Sequence, residues 1–201
     1  CSPNNPTGTV LESDVLDYLL DQFSGLVIVD EAYAEFRATG TRSAVALIAD
    51  HPNVVVSRTM SKAFSCAGLR LGYFAANPSI VNGCQLVRLP YHLSAVTQAV
   101  ARTALSFQAE LLAQVGLLRD ERDALVQWLT ARNYDVAPSG ANFVLFGRFA
   151  DRHAVWQGLL DHGVLIRETG PEGWLRVSIG TPDENELFRQ ALAAIAPKGI
   201  S

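Results

Sequence analysis

Ser57-Arg58-Thr59-Met60-Ser61-Lys62-Ala63-Phe64-Ser65-Cys66-Ala67-Gly68-Leu69-Arg70-Leu71-Gly72 is the stretch from which the rest of the chain is read. It follows the apolar run Val54-Val55-Val56 and leads into another, Leu71 to Ala76. An earlier run, Leu26-Val27-Ile28-Val29, ends in Asp30. Short, continuous apolar runs predict strands buried on both faces, as in a sheet covered by helices. Polar residues follow the carboxyl ends of the first two runs, at Asp30 and Ser57, which is where open α/β sheets place their ligands. Within the quoted stretch, hydroxyls precede Lys62 by one and three positions and Arg70 follows it by eight. Most lysines are solvated surface residues; it is the neighbours that single this one out.

Working outward, residues 1–10 form a turn-rich loop with two prolines, two asparagines and a glycine. Ser13 is placed to cap a helix whose apolar positions include Val15, Leu16, Leu19 and Leu20. Pro78 to Val87 reads as a helix, Leu89-Pro90-Tyr91-His92 breaks it, and Ser94 can cap a further helix reaching about Phe107. Leu111, Val115, Leu118, Leu125 and Leu129 recur at helical spacing, with Arg119, Asp120, Arg122 and Asp123 on the other face, so a long amphipathic helix is expected. Beyond it, strand-like Asn142 to Phe146, Val164 to Arg167 and Trp174 to Ile179 alternate with helices near 152–161 and 183–196. That alternation predicts a small α+β domain.

The chain has 201 residues, enough for one large or two small domains, and its 49% apolar and 18% charged content is globular. A net charge of −4 favours neither nucleic acid nor an anionic membrane surface. No apolar run approaches a membrane span, and no signal-peptide pattern opens the chain. Cys1, Cys66 and Cys84 are widely spaced and odd in number, which suits a reduced, intracellular protein and offers no metal-ligand spacing. His51, His92, His153 and His162 form no i,i+4 pair and read as surface, loop or cap residues. Trp128, Trp156 and Trp174 read as core or domain-interface residues. The only methionine is Met60, and Cys1 opens inside a motif. The chain is therefore expected to be the C-terminal portion of a longer protein.

Three segments, Asn4-Asn5-Pro6-Thr7-Gly8, Val29-Asp30-Glu31-Ala32-Tyr33 and the Lys62 stretch, stand in an order that resembles the pyridoxal-phosphate aminotransferases of fold type I. Their wording is most similar to the histidinol-phosphate aminotransferases, and the likeness covers essentially the whole chain. It implies an α/β fold. Residues 1–107 would be the C-terminal part of the large cofactor-binding domain, a mostly parallel sheet with helices on both faces. Residues 108–201 would supply an interdomain helix and the small C-terminal domain.

Such a protein must supply a lysine for the cofactor's aldehyde, an acid for its pyridine nitrogen, donors for its phenolic oxygen and phosphate, and a clamp for the amino acid's carboxylate. The resemblance assigns Lys62 to the aldehyde and to proton transfer. It assigns Asp30 to the ring nitrogen, Asn5 and Tyr33 to the phenolic oxygen, and Thr59, Ser61 and Arg70 to the phosphate. Arg176, in Leu175-Arg176-Val177-Ser178-Ile179-Gly180-Thr181, matches the arginine that holds the substrate carboxylate, and Arg167 the one aimed at a substrate phosphate. Ordinary alternatives stand beside them: Asn5 a turn, Asp30 a helix cap or strand-end turn, Tyr33 packing, Thr59 and Ser61 capping, Arg70 a surface ion pair and Arg167 a surface strand-end charge. Glu31, Ser57 and Arg58 receive no role. The Asn5–Pro6 peptide is expected to be cis.

The function implied is transfer of an amino group between L-histidinol phosphate and 2-oxoglutarate in histidine synthesis, by a cytoplasmic homodimer using pyridoxal 5'-phosphate. Its partners would be small amino and 2-oxo acids, with no metal, nucleic acid or membrane. Aromatic amino-acid transamination and phosphothreonine decarboxylation are the neighbouring alternatives. A PLP-sensing domain of a transcription regulator is the non-enzymatic one, against which stand the two substrate-binding arginines. Residues 1–201 alone are expected to be inactive and prone to association.

Overall fold

The computed structural model describes residues 1–196. It comprises two compact units: Cys1–Pro3 with Leu11–Val115, and Asn4–Val10 with the chain from Gly116 onward.

The first unit contains α1 (Ser13–Gln22), β1 (Val27–Asp30), β2 (Val54–Thr59), β3 (Gly72–Ala76), α2 (Pro78–Val87), α3 (Ala95–Ser106) and the start of α4 (Gln108–Thr130). The sheet order is β1-β2-β3. β1 runs parallel to β2, with Val27 opposite Val54 and Asp30 opposite Ser57. β3 is antiparallel to β2, with Thr59 opposite Gly72. The expected mostly parallel sheet, covered by helices on both faces, is thus a mixed three-stranded sheet among the described residues. The reason is the connection: residues 60–71 contain a 3-10 turn but no crossover helix, and the Met60 N–H bond to Leu71 O at 3.1 Å closes the loop on its own base, so the chain folds back beside β2.

Burial on both faces is confined to the central strand. Val54, Val55 and Val56 are buried. In β1, Val27 and Val29 pack with Leu20 of α1 and with Ala44 and Leu47 of a 3-10 turn, while Ile28 on the other face is 62% exposed. In β3, Tyr73 and Phe74 are exposed. The apolar runs therefore predicted the strands correctly and their two-sided burial only for β2.

Helix starts follow local chemistry. Asn77 Oδ1 accepts from the Ser79 N–H at 3.0 Å with Pro78 at the first helical position of α2. Ser94 Oγ accepts from the Thr97 N–H at 3.0 Å to open α3, as its sequence predicts. Ser13 does not cap α1. The helix begins at Ser13 itself, Glu12 takes the cap position without a side-chain bond, and Ser13 lies inside the first turn.

The second unit holds most of α4, β4 (Asp135–Val136), β5 (Phe143–Gly147), α5 (Arg152–Asp161), β6 (Trp174–Ser178) and α6 (Pro182–Ile195). Its antiparallel sheet has the order β4-β5-β6. Leu125 and Leu129 of α4 pack with Val144, Phe146, Leu159, Leu175, Phe188 and Leu192 in one core. Phe146 sits at its centre, meeting Phe149 and Phe188 edge-on at ring separations of 5.9 and 5.6 Å. Thr181 and Glu184 form a capping box at the start of α6. The strand expected at Val164–Arg167 is reduced to a single bridge between Arg167 and Arg176. The Val164 N–H instead donates to Leu159 O at 2.9 Å, which ties that residue to the end of α5.

Candidate active site

The parallel register between β1 and β2 sets two polar residues side by side at their carboxyl ends. Asp30 is half-buried, and its Oδ1 accepts two bonds, from the Ala32 N–H and the Ser57 hydroxyl, each at 3.1 Å. The residue that follows β1 faces a different environment. Glu31 is 1% exposed and is met by Arg58 at 2.6 Å and Arg37 at 3.2 Å, by the Ser43 hydroxyl at 2.8 Å and by the Ala44 N–H at 2.8 Å. Arg58 also pairs with Glu35 at 2.8 Å. Burial opposes charge on Glu31, but the Ala44 and Ser43 bonds and the two guanidinium groups outweigh it, so its carboxyl titrates below its ordinary value. Burial likewise opposes charge on Arg58, and Glu31 and Glu35 reverse it, raising the guanidinium's affinity for its proton. This ionic cluster braces the strand ends that carry Asp30 and Thr59, with Arg58 Nε its one buried side-chain donor among the described residues without a hydrogen bond.

From Thr59 the chain enters the loop that holds the remaining candidates of this unit. Thr59 Oγ1 accepts from the Ser61 N–H at 3.1 Å. The Met60 N–H donates to Leu71 O at 3.1 Å, and the Cys66 N–H to Met60 O at 3.0 Å, which ties the loop to its own base. Met60, Ala63 and Phe64 are buried, so apolar anchors flank Lys62 while its own side chain is exposed. The Lys62 Nζ lies 5.5 Å from the centre of the Tyr33 ring. Arg70 closes the loop in the left-handed region, at φ 51°, with Nη1 donating to Ala67 O at 3.2 Å. Beside it, a Cβ on Gly72 would stand 2.9 Å from Arg58 O, so the tight return into β3 requires glycine there. Thr59, Ser61, Lys62 and Arg70 thus share one loop, with Tyr33 against the lysine.

The other three candidates lie in the second unit. The Asn5–Pro6 peptide is cis, as expected. Asn5 Oδ1 accepts from Arg176 Nη1, and the Arg176 guanidinium lies 4.8 Å from the centre of the Phe143 ring. Arg167 and Arg176 exchange both backbone bonds, at 3.0 and 2.9 Å, and residues directly opposed in an antiparallel pair project to the same face. Both line a cleft of about 460 Å³, together with Glu184 and Asn185 of α6.

Ser57, Glu31 and Arg58 were given no role by the sequence. A signal for Ser57 was present: Val27–Asp30 and Val54–Ser57 are runs of equal length, each three valine or isoleucine residues and one polar residue. Aligned in parallel, they put Ser57 beside Asp30.

Residues 1–192 match the aminotransferase class I and II family, and the chain belongs to it. Within it, the chain is 63% identical over 191 residues to the histidinol-phosphate aminotransferase of Thermobifida fusca, covering 95% of this chain and 52% of that protein. The chain thus spans about half the length of the curated relatives it matches. The crystal structure of histidinol-phosphate aminotransferase from Sinorhizobium meliloti in complex with pyridoxal-5'-phosphate aligns with a TM-score of 0.85 at 27% identity, over 96% of this chain and 55% of that one. That of L-threonine-O-3-phosphate decarboxylase from Porphyromonas gingivalis aligns with a TM-score of 0.83 at 27% identity, over 98% and 63%.

Proposed function

We propose that the complete protein carrying this chain is a pyridoxal-phosphate-dependent histidinol-phosphate aminotransferase. It would catalyse L-histidinol phosphate + 2-oxoglutarate = imidazole-acetol phosphate + L-glutamate. One observation carries the chemistry: the loop between β2 and β3 presents the exposed Lys62 amine beside the Tyr33 ring, on the same loop as two hydroxyls and Arg70. The 63% identity to the Thermobifida fusca enzyme supports the choice of substrate.

The donor set fits pyridoxal phosphate. An amine suits its aldehyde, an acid its ring nitrogen, a phenol and an amide its phenolic oxygen, and hydroxyls with a guanidinium its phosphate. Lys62, Asp30, Tyr33, Asn5, Thr59, Ser61 and Arg70 would hold it in those ways. When bound, the cofactor supplies an aldehyde that takes up an amino group and a ring that accepts the electron pair of the substrate's Cα–H bond. The chain's residues do the rest. Lys62 Nζ takes the proton from Cα and returns it. Asp30 keeps a proton on the ring nitrogen. Arg176 offers a planar fork to the α-carboxylate of glutamate and 2-oxoglutarate, and Asn5 and Phe143 hold its guanidinium in place. Arg167, projecting to the same face, meets the phosphate of histidinol phosphate.

By the same likeness, residues 1–107 belong to the large cofactor-binding domain and 108–201 to an interdomain helix and small domain of a cytoplasmic homodimer acting on small amino and 2-oxo acids. Among the described residues no helix is long and apolar enough to cross a membrane. The test is a donor comparison on the purified complete protein with 2-oxoglutarate. Histidinol phosphate should exceed phenylalanine and tyrosine in kcat/KM by at least about a hundredfold, because a charge-assisted contact to its phosphate is worth up to roughly 3 kcal/mol. A preference for aromatic donors, or carbon dioxide release from phosphothreonine, would replace the substrate assignment. Binding of pyridoxal phosphate with no transfer from any donor would favour a sensor.

A further inference from the structure

The hydrogen bonding around Asp30 is one-sided. Both of its donors, the Ala32 N–H and the Ser57 hydroxyl, converge on Oδ1. Among the described residues, none donates to Oδ2. One of the donors is the backbone N–H of Ala32, which any side chain but proline would leave in place. The other is a side chain on the neighbouring strand, fixed there by register: Asp30 stands opposite Ser57, and the Glu31 N–H donates to Ser57 O at 2.9 Å. On either side the strand ends are pinned. Glu31 follows Asp30, Arg58 follows Ser57, and the two close a buried ion pair at 2.6 Å. The Ser57 hydroxyl is therefore held where it can act on the Asp30 carboxylate and on little else.

We infer that Ser57 is a positioning residue for Asp30: by occupying Oδ1 together with the Ala32 N–H, its hydroxyl fixes the rotation of the carboxylate and presents Oδ2 to the protonated ring nitrogen of pyridoxal phosphate. The inference rests on the proposed function, because it gives Asp30 that task. A carboxylate's last torsion is broad and roughly two-fold. A single donor leaves it free to swing, whereas two donors on one oxygen define its plane. A supporting residue of this kind decides how well the contacting group is aimed. The simpler account, that Ser57 closes a polar strand end and nothing more, predicts a change in stability without any change at the cofactor.

The test uses the complete holoenzyme with ring-¹⁵N-labelled pyridoxal phosphate, comparing wild type, Ser57→Ala and Ser57→Thr. In wild type the ring nitrogen should resonate as a protonated pyridine. In Ser57→Ala the signal should move toward the unprotonated position, as the carboxylate turns and the N–H bond lengthens. There kcat should fall about tenfold while KM for glutamate stays within about twofold, the size of one lost hydrogen bond to a charged group. Ser57→Thr, which keeps the hydroxyl on a strand-compatible side chain, should restore both. An unmoved ¹⁵N signal with unchanged kcat in a folded, cofactor-loaded Ser57→Ala protein would overturn the positioning role and leave the proposed function standing. Failure of the wild-type protein to hold the cofactor at Lys62 would overturn both.

Discussion

Arg167 and Arg176 show how two like residues acquire different tasks from their surroundings. Arg176 lies within β6, half-buried, with its guanidinium over Phe143 and bonded to Asn5. Arg167 is exposed and tied to the sheet only through its backbone bridge. A lysine at position 176 keeps the charge but loses the planar fork, so Arg176→Lys should lower kcat/KM for glutamate and other amino-acid donors, which carry an α-carboxylate, by about tenfold or more. Arg167→Ala should cost histidinol phosphate about a hundredfold and glutamate less than about threefold, since only the former carries a phosphate. Steady-state kinetics on both donors checks this; equal losses would make Arg167 structural. At this scale the sequence was legible where residue type and order carry the information. Asn5, Asp30, Lys62 and Arg70 stand out because their neighbours are unusual. Ser57 did not, because its meaning lies in a bond to a residue 27 positions away, which exists only once two strands have found their register.

Among the elements, the junction of β1 and β2 has the clearest energetic signature. Its Glu31 carboxylate is almost wholly buried and holds Arg37, Arg58, Ser43 and the Ala44 N–H. Removing the charge while keeping the shape, as in Glu31→Gln, leaves the buried Arg37 guanidinium without its carboxylate and Arg58 with Glu35 alone, and should destabilise the protein by about 3 kcal/mol. The pH dependence follows from the direction of the shift. Glu31 binds its proton less readily in the folded than in the unfolded chain, so its contribution is fully present above the ordinary carboxylate value. It is lost as pH falls through the lower, folded value. Urea melts at several pH values should show the gap between wild type and Glu31→Gln narrowing below about pH 4.5. A constant gap would place the stabilisation in packing rather than charge. Elements with local signals were readable in advance: α2 from Pro78 onward, α3 from Ser94, α4 from its apolar spacing. The antiparallel return of β3, the two-residue β4 and the shrinkage of Val164–Arg167 to one bridge were not. Each depends on how the loop to the neighbouring strand folds, and no residue near the element announces it.

The chain belongs to one family and is described as two units, with candidate residues Asp30, Tyr33, Thr59, Ser61, Lys62 and Arg70 in the first and Asn5, Arg167 and Arg176 in the second. The chemistry proposed for both depends on a single attachment point. The chain has two lysines, Lys62 and Lys198, which makes that point unusually easy to locate. The decisive measurement is to load the complete protein with pyridoxal phosphate, reduce it with borohydride, digest it and map the modified peptide by mass spectrometry. The account predicts near-stoichiometric modification of Lys62, abolished in Lys62→Ala along with the visible absorbance and the transamination. Modification at Lys198 or at any other lysine in place of Lys62, or a Lys62→Ala protein that still transaminates, would contradict it.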